Sequence, residues 1–211
     1  MFWNGFLTSM FVFLIENLFD LLLCPKDVRR MKRIDFPLYM KGKQLEFLNL
    51  IVVGPLLYGL FGPFCIIMDE TYFEPLKCLF MIVVQNVSYY FIHKWMHDSN
   101  ASMHKFHHLY HRIVLPSTAN CVTVYEFIVA YLSPLFTGAL LTFPTEVTFL
   151  LTTFFISIFN IFVHTTLFEK IPYLSFLVSP TKHLTHHRKN TKHYASPIFD
   201  CEYFISMFSA D

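Results

Sequence analysis

Charge, cysteine and glycine are all scarce in this chain of 211 residues. Only 15% of the residues are charged, and the chain has five cysteines and six glycines. The net charge near +1 gives no global attraction for nucleic acid, which disfavours a DNA- or RNA-binding role. The cysteines are scattered and never form Cys-x-x-Cys, so we expect reduced thiols and neither a disulfide framework nor a zinc ribbon.

Several sequence motifs are also absent. The N-terminus lacks the basic region and small-residue cleavage site of a signal peptide, so membrane insertion is expected to rely on uncleaved segments. The chain has no Gly-x-Ser-x-Gly and no His-Glu-x-x-His, which disfavours a nucleophilic hydrolase or a zinc protease.

Apolar residues are abundant. They make up 55% of the chain, with 26 phenylalanines, and the mean hydropathy is +0.46. A helix needs about 20 apolar residues to cross a bilayer. Five stretches come near that length, at about 2–24, 46–68, 75–97, 124–142 and 146–164. The sequence therefore predicts an all-α, polytopic membrane bundle with four to five membrane-embedded helices.

Basic residues set the expected orientation of these spans. Seven Lys and Arg residues lie between positions 26 and 43, whereas segment 69–74 is acidic. The positive-inside rule then places 26–43 in the cytosol and 69–74 on the far side, so that 98–123 and the chain after 164 return to the cytosol. Glu16 and Asp20 are costly within the first span, and we expect them at a headgroup boundary or against neighbouring helices.

The histidines are clustered. All 11 lie at or after position 93, in one His-x-x-x-His and two His-x-x-His-His motifs with a few single residues. Residues at i, i+3 and i+4 share a helix face, so each motif is expected to present its imidazoles together. A bound cation would keep converging imidazoles neutral and close. The candidate metal ligands are His93, His97, His104, His107, His108, His164, His183, His186 and His187.

Other polar residues track toward this predicted site. They could add ligands, orient the ligands or line a reaction pocket; alternatively they hydrogen-bond neighbouring helices. These residues are His111, His193, Asn86, Tyr90 and Asn160. Four nearby carboxylates are expected mainly to cap helices or to lie at the solvated surface: Asp98, Glu126, Glu169 and Asp200.

The number of histidines indicates how many metal ions could bind. Imidazole suits zinc, copper, iron and nickel alike. A structural zinc takes four ligands, so nine candidates suggest two metal ions. The Glu-x-x-His pairs of carboxylate-bridged di-iron bundles are absent. A histidine-only site at the lipid boundary fits attack on an unactivated C–H bond, which needs oxygen and a redox metal.

In this order the motifs resemble those of the fatty acid hydroxylase, or sterol desaturase, superfamily of membrane di-iron oxygenases. The resemblance covers roughly residues 75–211, and the three-residue gap between His93 and His97 is closer to sterol-type members. His193 stands where the family usually has Asn, and Phe168 where some members carry a further histidine. The motifs that carry the resemblance are His93/His97, His104/His107/His108, Asn160–His164, Ser179-Pro180 and His183/His186/His187.

The resemblance implies that the nine histidines bind two irons, with no further catalytic residue. O2 would then hydroxylate or desaturate a lipid, such as a sterol, with electrons from cytochrome b5 and an NAD(P)H reductase or an equivalent chain. In a eukaryote the protein would lie in the endoplasmic reticulum membrane. We expect residues 1–74 to supply N-terminal spans and a basic loop, and 75–211 a di-iron domain with a cytosolic histidine-rich helical cap, in one continuous unit.

Two other functions stay open. A diverged family member could bind metal without turnover. A histidine-rich metal transporter would place ionisable groups near the midplane of several spans, whereas these histidines gather at one edge.

Overall fold

The structure, a computed structural model, describes residues 1–69 and 72–209 and is a bundle of helices. No β-strand forms within these residues, which confirms the all-α fold. Within these residues, five helices are long and apolar enough to cross a membrane, as expected: Phe2–Leu22, Phe36–Cys65, Glu74–Ser99, Val124–Thr142 and Glu146–Val163. The helices are α1 (Phe2–Leu22), α2 (Pro25–Ile34), α3 (Phe36–Cys65), α4 (Glu74–Ser99), α5 (Val124–Thr142), α6 (Glu146–Val163), α7 (Pro180–Lys189) and α8 (Cys201–Phe208).

The second span begins earlier than predicted, at Phe36 instead of about 46, and 25–34 is the helix α2 instead of a loop. Asp35 starts α3 by accepting a hydrogen bond from the Leu38 amide at 2.9 Å. The helix continues past Lys43 because this cation is paired with Asp20 at 2.9 Å and Glu46 at 3.0 Å. These ion pairs compensate the charge of Lys43, which a hydropathy count does not register, so hydropathy alone misplaced the start of the span.

Two spans contain a wider π-helical segment, at Leu48–Val53 in α3 and Phe127–Leu132 in α5. Pro55 and Pro134 lie two residues after the ends of these segments. Proline offers no N–H, and its ring crowds the carbonyl four residues earlier. The wider turn gives that carbonyl room, so both spans continue through their prolines.

The two π segments hold a stretch inside the bundle that is irregular except for the 3₁₀ turn Pro116–Asn120. We call residues 113–122 the buried connector, since all ten are buried. Asn49 donates to the carbonyls of Asn120 at 3.1 Å and Val122 at 2.9 Å, and the Tyr131 hydroxyl donates to Ala119 at 3.0 Å. Irregular backbone is tolerated at membrane depth only where protein groups satisfy it, and these side chains do so.

The acidic residues of α1 face the same connector. Asp20 accepts from the Ser117 amide at 3.1 Å and from its hydroxyl at 2.6 Å, and Glu16 accepts from the Asn120 amide group. Of the two locations expected for these carboxylates, contact with neighbouring elements is therefore the one found. They bind the connector to α1.

The connecting segments lie at two ends of the bundle. At one end the Met1 amino group pairs with Glu146 at 3.5 Å, and Lys77 donates to the Phe143 carbonyl at 2.9 Å. At the other end α2 contacts the chain after α6, where Asp27 accepts from Thr166 at 3.4 Å. All five cysteines are free, as expected.

Asn49→Ala should destabilise the fold because it leaves two connector carbonyls buried without donors. Each lost partner costs about 1–3 kcal/mol. Thermal unfolding of the purified protein in detergent measures the effect. Val52→Ala, which trims a lipid-facing side chain on the same π segment, is the control and should change the melting temperature little. Similar shifts for both variants would contradict this role of Asn49.

Candidate metal centre

The nine histidines chosen from the sequence fall into two groups that could each hold a metal ion. Within each group, one ring nitrogen from every histidine lies within 4.8 Å of the others. The five-histidine group consists of His93, His97, His104, His108 and His186. The four-histidine group consists of His107, His164, His183 and His187. The groups adjoin, with the rings of His108 and His187 5.1 Å apart between centroids.

Each His-x-x-His-His motif contributes to both groups. His104 and His108 belong to the five-histidine group and His107 to the other. In α7 the assignment is reversed, since His186 alone joins the five-histidine group. The expectation that each motif presents all its imidazoles in one direction was wrong, because positions i+3 and i+4 are about 100° apart around a helix. Moreover, 104–111 is not one helix but a short turn followed by the 3₁₀ segment His107–His111.

Backbone carbonyls and one carboxylate fix the orientation of four rings through their Nδ1 atoms. His93 Nδ1 lies 2.7 Å from the Tyr194 carbonyl, His186 Nδ1 2.9 Å from that of Lys192, and His164 Nδ1 2.7 Å from that of Asn160. His104 Nδ1 lies 2.5 Å from Glu126 Oε1. A carbonyl only accepts, so Nδ1 carries the hydrogen and a neutral ring has its lone pair at Nε2.

These lone pairs face one another. His93 Nε2 is 2.8 Å from His104 Nε2 and 3.1 Å from His186 Nε2. His93 and His186 both carry their hydrogen on Nδ1, so in the neutral rings neither of these two Nε2 atoms has a hydrogen to donate. Two lone pairs at this distance repel, whereas a cation between them would bind both.

In the four-histidine group the ring nitrogens also lack a matching set of hydrogen-bond donors and acceptors. His164 Nε2 lies 3.0 Å from His183 Nε2, 3.3 Å from His187 Nε2 and 3.5 Å from His107 Nε2. One lone pair cannot satisfy three donors. The buried Nδ1 atoms of His107, His183 and His187 also have no partner in the described part of the chain.

The spacing of the nitrogens suits a transition metal. Two nitrogens bound to one ion at about 2.1 Å lie roughly 3.0–3.4 Å apart, for octahedral and tetrahedral angles. The closest Nε2–Nε2 separations, 2.8–3.5 Å, cover that range. An all-imidazole donor set therefore fits iron, and equally zinc or copper.

Burial keeps these imidazoles neutral. It lowers the pKa of His164 to about 4, of His108 to about 3 and of His186 to about 2. Burial, reinforced by neighbouring imidazoles, holds the pKa well below its usual value at the remaining candidates outside the spans: His104, His107, His183 and His187. Neutral rings are the form in which histidine binds metal.

Sequence reasoning underestimated Glu126. Capping or a solvated position was expected, but the side chain is fully buried against His104. A lone carboxylate at the start of an apolar span was the available signal. The carbonyls of Lys192 and Tyr194 could not be found from side-chain types. They flank His193, whose left-handed backbone (φ 63°) lies between the two acceptors.

The other candidate residues lie outside the two groups. His111 is exposed, and His193 Nδ1 is 3.2 Å from Glu202. Asn86 accepts from the Ile198 and Phe199 amides and so fixes the chain before α8, while Tyr90 packs in an apolar cluster. Asn160 supports His164 through its carbonyl.

The other three carboxylates have structural partners. Asp98 pairs with Lys94 at 2.5 Å and Glu169 with Arg188 at 3.1 Å. Asp200 caps α8. Phe168, at the position where some relatives have histidine, packs its ring 5.3 Å from that of Phe162.

A cavity lies inside the bundle beside the centre, between α1, α3, α4, α5 and α6, and none of the nine histidines lines it. At the histidine end its wall includes Tyr89, whose ring lies 5.1 Å from that of His93, and Asn160. At the far end Phe149 stacks on Tyr58 at 5.2 Å and lies 5.5 Å from Phe136. From Phe149 to Asn160 the cavity follows α6 for about 16 Å. Its lining is mostly apolar, with the hydroxyls of Thr153 and Ser157 among it.

Fold and site together define a class, that of multi-pass helical membrane proteins with a histidine-rich centre suited to metal ions. A family model described as fatty acid hydroxylase matches residues 78–203, more than half of the chain and all nine histidines. The chain belongs to the fatty acid hydroxylase family, which confirms the family inferred from its motifs. None of the curated proteins and none of the solved structures compared with the chain matches it.

His186→Ala should lower the metal content strongly, whereas His111→Ala should leave it near that of the wild type. Loss of a ligand should weaken binding by more than the roughly 10- to 100-fold that loss of a ligand's hydrogen-bond partner costs. Elemental analysis of proteins purified and reloaded with iron in parallel is the measurement. Equal loss in both variants would contradict the division between His186 and His111.

Acid should destabilise the metal-free protein. Since histidine in the unfolded chain titrates near 6.5 and His164 in the folded protein near 4, the unfolded chain binds more protons between these values. The melting temperature should therefore be highest above about pH 7 and fall as the pH drops toward 4. Iron should be released over the same range, because protons compete for the same nitrogens. A constant melting temperature between pH 7.5 and 5 would contradict this burial of neutral rings.

Proposed function

We propose that the protein is a membrane-bound di-iron oxidoreductase that uses O2 to hydroxylate or desaturate a lipid. The observation that carries this proposal is the meeting of Nε2 lone pairs, such as those of His93 and His186 at 3.1 Å, beside the end of an intramembrane cavity. Family membership supports the same chemistry.

The nine histidines would hold two irons, one in each group. When bound, iron would supply the redox chemistry that O2 needs to react with an unactivated C–H bond. One carboxylate and two backbone carbonyls orient the ligands. Glu126 orients His104, and the carbonyls of Tyr194 and Lys192 orient His93 and His186. Buried walls exclude water from the end of the cavity.

The overall reaction requires an external electron donor. Hydroxylation converts the lipid C–H bond and one O2 into an alcohol and one water, and consumes two electrons and two protons. Desaturation removes two hydrogens from the lipid and, with the same electrons and protons, gives two waters. We assign the donor role to cytochrome b5 with an NAD(P)H reductase or an equivalent chain, acting at the endoplasmic reticulum with the histidine end in the cytosol.

A sterol or related apolar lipid is the substrate we propose. The lining of the cavity runs for about 16 Å along α6, from Phe149 to Asn160, and is mostly apolar, which suits an apolar lipid. The hydroxyls of Thr153 and Ser157 offer partners for a polar group on an otherwise apolar molecule. Residues 1–74 thereby contribute cavity walls to a centre carried by residues 75–211.

The iron content and O2 consumption of the purified protein test the proposal. With sterols, cytochrome b5 and its reductase present, the wild type should consume O2 and yield an oxidised lipid, whereas His107→Ala should not. Lipid analysis of cells expressing either form would identify the product. An iron-loaded but inert protein would indicate a diverged member without turnover, and metal uptake into vesicles would indicate a transporter.

Ser157→Phe should abolish lipid oxidation without removing iron, because the added ring fills the cavity beyond the histidines. Phe155→Leu is the matched control, since Phe155 faces outward from the same helix and should be neutral. Product formation and iron content are measured on both variants. Full activity in Ser157→Phe would show that the substrate does not occupy this cavity.

A further inference from the structure

A second depression lies on the outside of the bundle, at the histidine end. We call it the corner groove, lined by Met31 and Ile34 of α2, by Lys41 of α3 and by Phe106, Leu109 and Arg112 near the 3₁₀ segment. It is separate from the intramembrane cavity and contains none of the nine candidate ligands. His111, which the sequence placed near the metal, also lines this groove.

The groove combines apolar walls with a rim of net positive charge, on which two cations outnumber one carboxylate. Ile34 is 50% exposed and Leu109 43% exposed. Lys41 and Arg112 are exposed, and neither has an ion-pair partner within the described residues. The one acidic side chain in the lining, Asp35, is engaged by the Leu38 amide at 2.9 Å.

The position of the groove relative to the spans indicates what could occupy it. The span α1 ends at Leu22 and the span α3 begins at Phe36, so α2 lies where the bundle leaves the apolar layer. Phe36 is 54% exposed close to the exposed cations Lys32 and Arg33. Exposed apolar side chains beside cations are typical of helices at a lipid headgroup boundary.

We propose that the corner groove binds an anionic phospholipid of the surrounding bilayer. The headgroup phosphate pairs with Lys41 and Arg112, and the upper part of an acyl chain lies against Ile34, Phe106 and Leu109. Basic clusters next to a membrane span attract anionic headgroups by about 1 kcal/mol per cation, and here an apolar slot adds to that attraction. An acidic amphipathic peptide carries similar chemistry, but the groove lies beside the spans, where lipid is the more concentrated partner.

Native mass spectrometry of the full-length protein tests this site. The protein is delipidated in detergent and then supplied with phosphatidylserine or phosphatidylcholine. The wild type should retain phosphatidylserine preferentially, and Lys41→Gln with Arg112→Gln should reduce that retention roughly 30-fold, which corresponds to the loss of both cations. The control pair Lys170→Gln with Lys189→Gln removes two exposed cations outside the groove and should retain the lipid as the wild type does.

A second substitution examines the apolar wall. Leu109→Glu should lower phosphatidylserine retention with both rim cations intact. Equal retention by the wild type and the rim variant, or equal loss in the control pair, would overturn the proposal in favour of diffuse surface charge. Tighter binding of an acidic amphipathic peptide, not displaced by phosphatidylserine, would overturn it in favour of a protein partner. Iron content, measured on every variant, keeps this result distinct from the proposed oxidase function.

Discussion

Nitrogen lone pairs that face one another across less than about 3.5 Å are the constraint on which this molecule depends. Hydrogen bonds from Nδ1 determine which ring nitrogen is bare, and burial prevents the rings from relieving the repulsion by taking up protons. A positive ion between the rings turns the same arrangement from unfavourable to favourable. The backbone at Asn160, Lys192 and Tyr194 therefore matters as much as the histidines, because these carbonyls decide where the lone pairs point.

The rest of the bundle keeps those acceptors in position. Glu126 lies four residues after the end of the buried connector, so the hydrogen bonds that hold the connector also help to locate the carboxylate that orients His104. This explains why polar side chains such as Asp20 and Asn49 occur in spans that would otherwise be apolar. They bind irregular backbone inside the bundle. This backbone leads to Glu126, so these side chains help to position the site. The two π-helical segments supply side chains that hold the connector, and they let both spans continue through their prolines.

Much of this arrangement could be predicted from the sequence. Hydropathy locates the spans, and the ordered spacing of histidines selects the nine residues that the structure brings together. The sharing of each motif between two groups was not predicted, because a rule that treats i+3 and i+4 as one face ignores the angle between them. The early start of α3 depends on the pairing of Lys43 with Asp20, a contact between distant parts of the chain. Residue types do not indicate which backbone carbonyls accept hydrogen bonds from the histidines. The role of Glu126 depends on the packing of α5 beside His104, which the sequence does not show.

The order in which the polypeptide is synthesised gives the interleaved motifs a further consequence. All five spans are translated before His183, His186 and His187, so the translocon has received every span before either group has its full set of nitrogens. Because α7 supplies both groups, neither half can be finished first. Any metal that fills both groups would then be loaded after insertion, from the side of the membrane that receives α7.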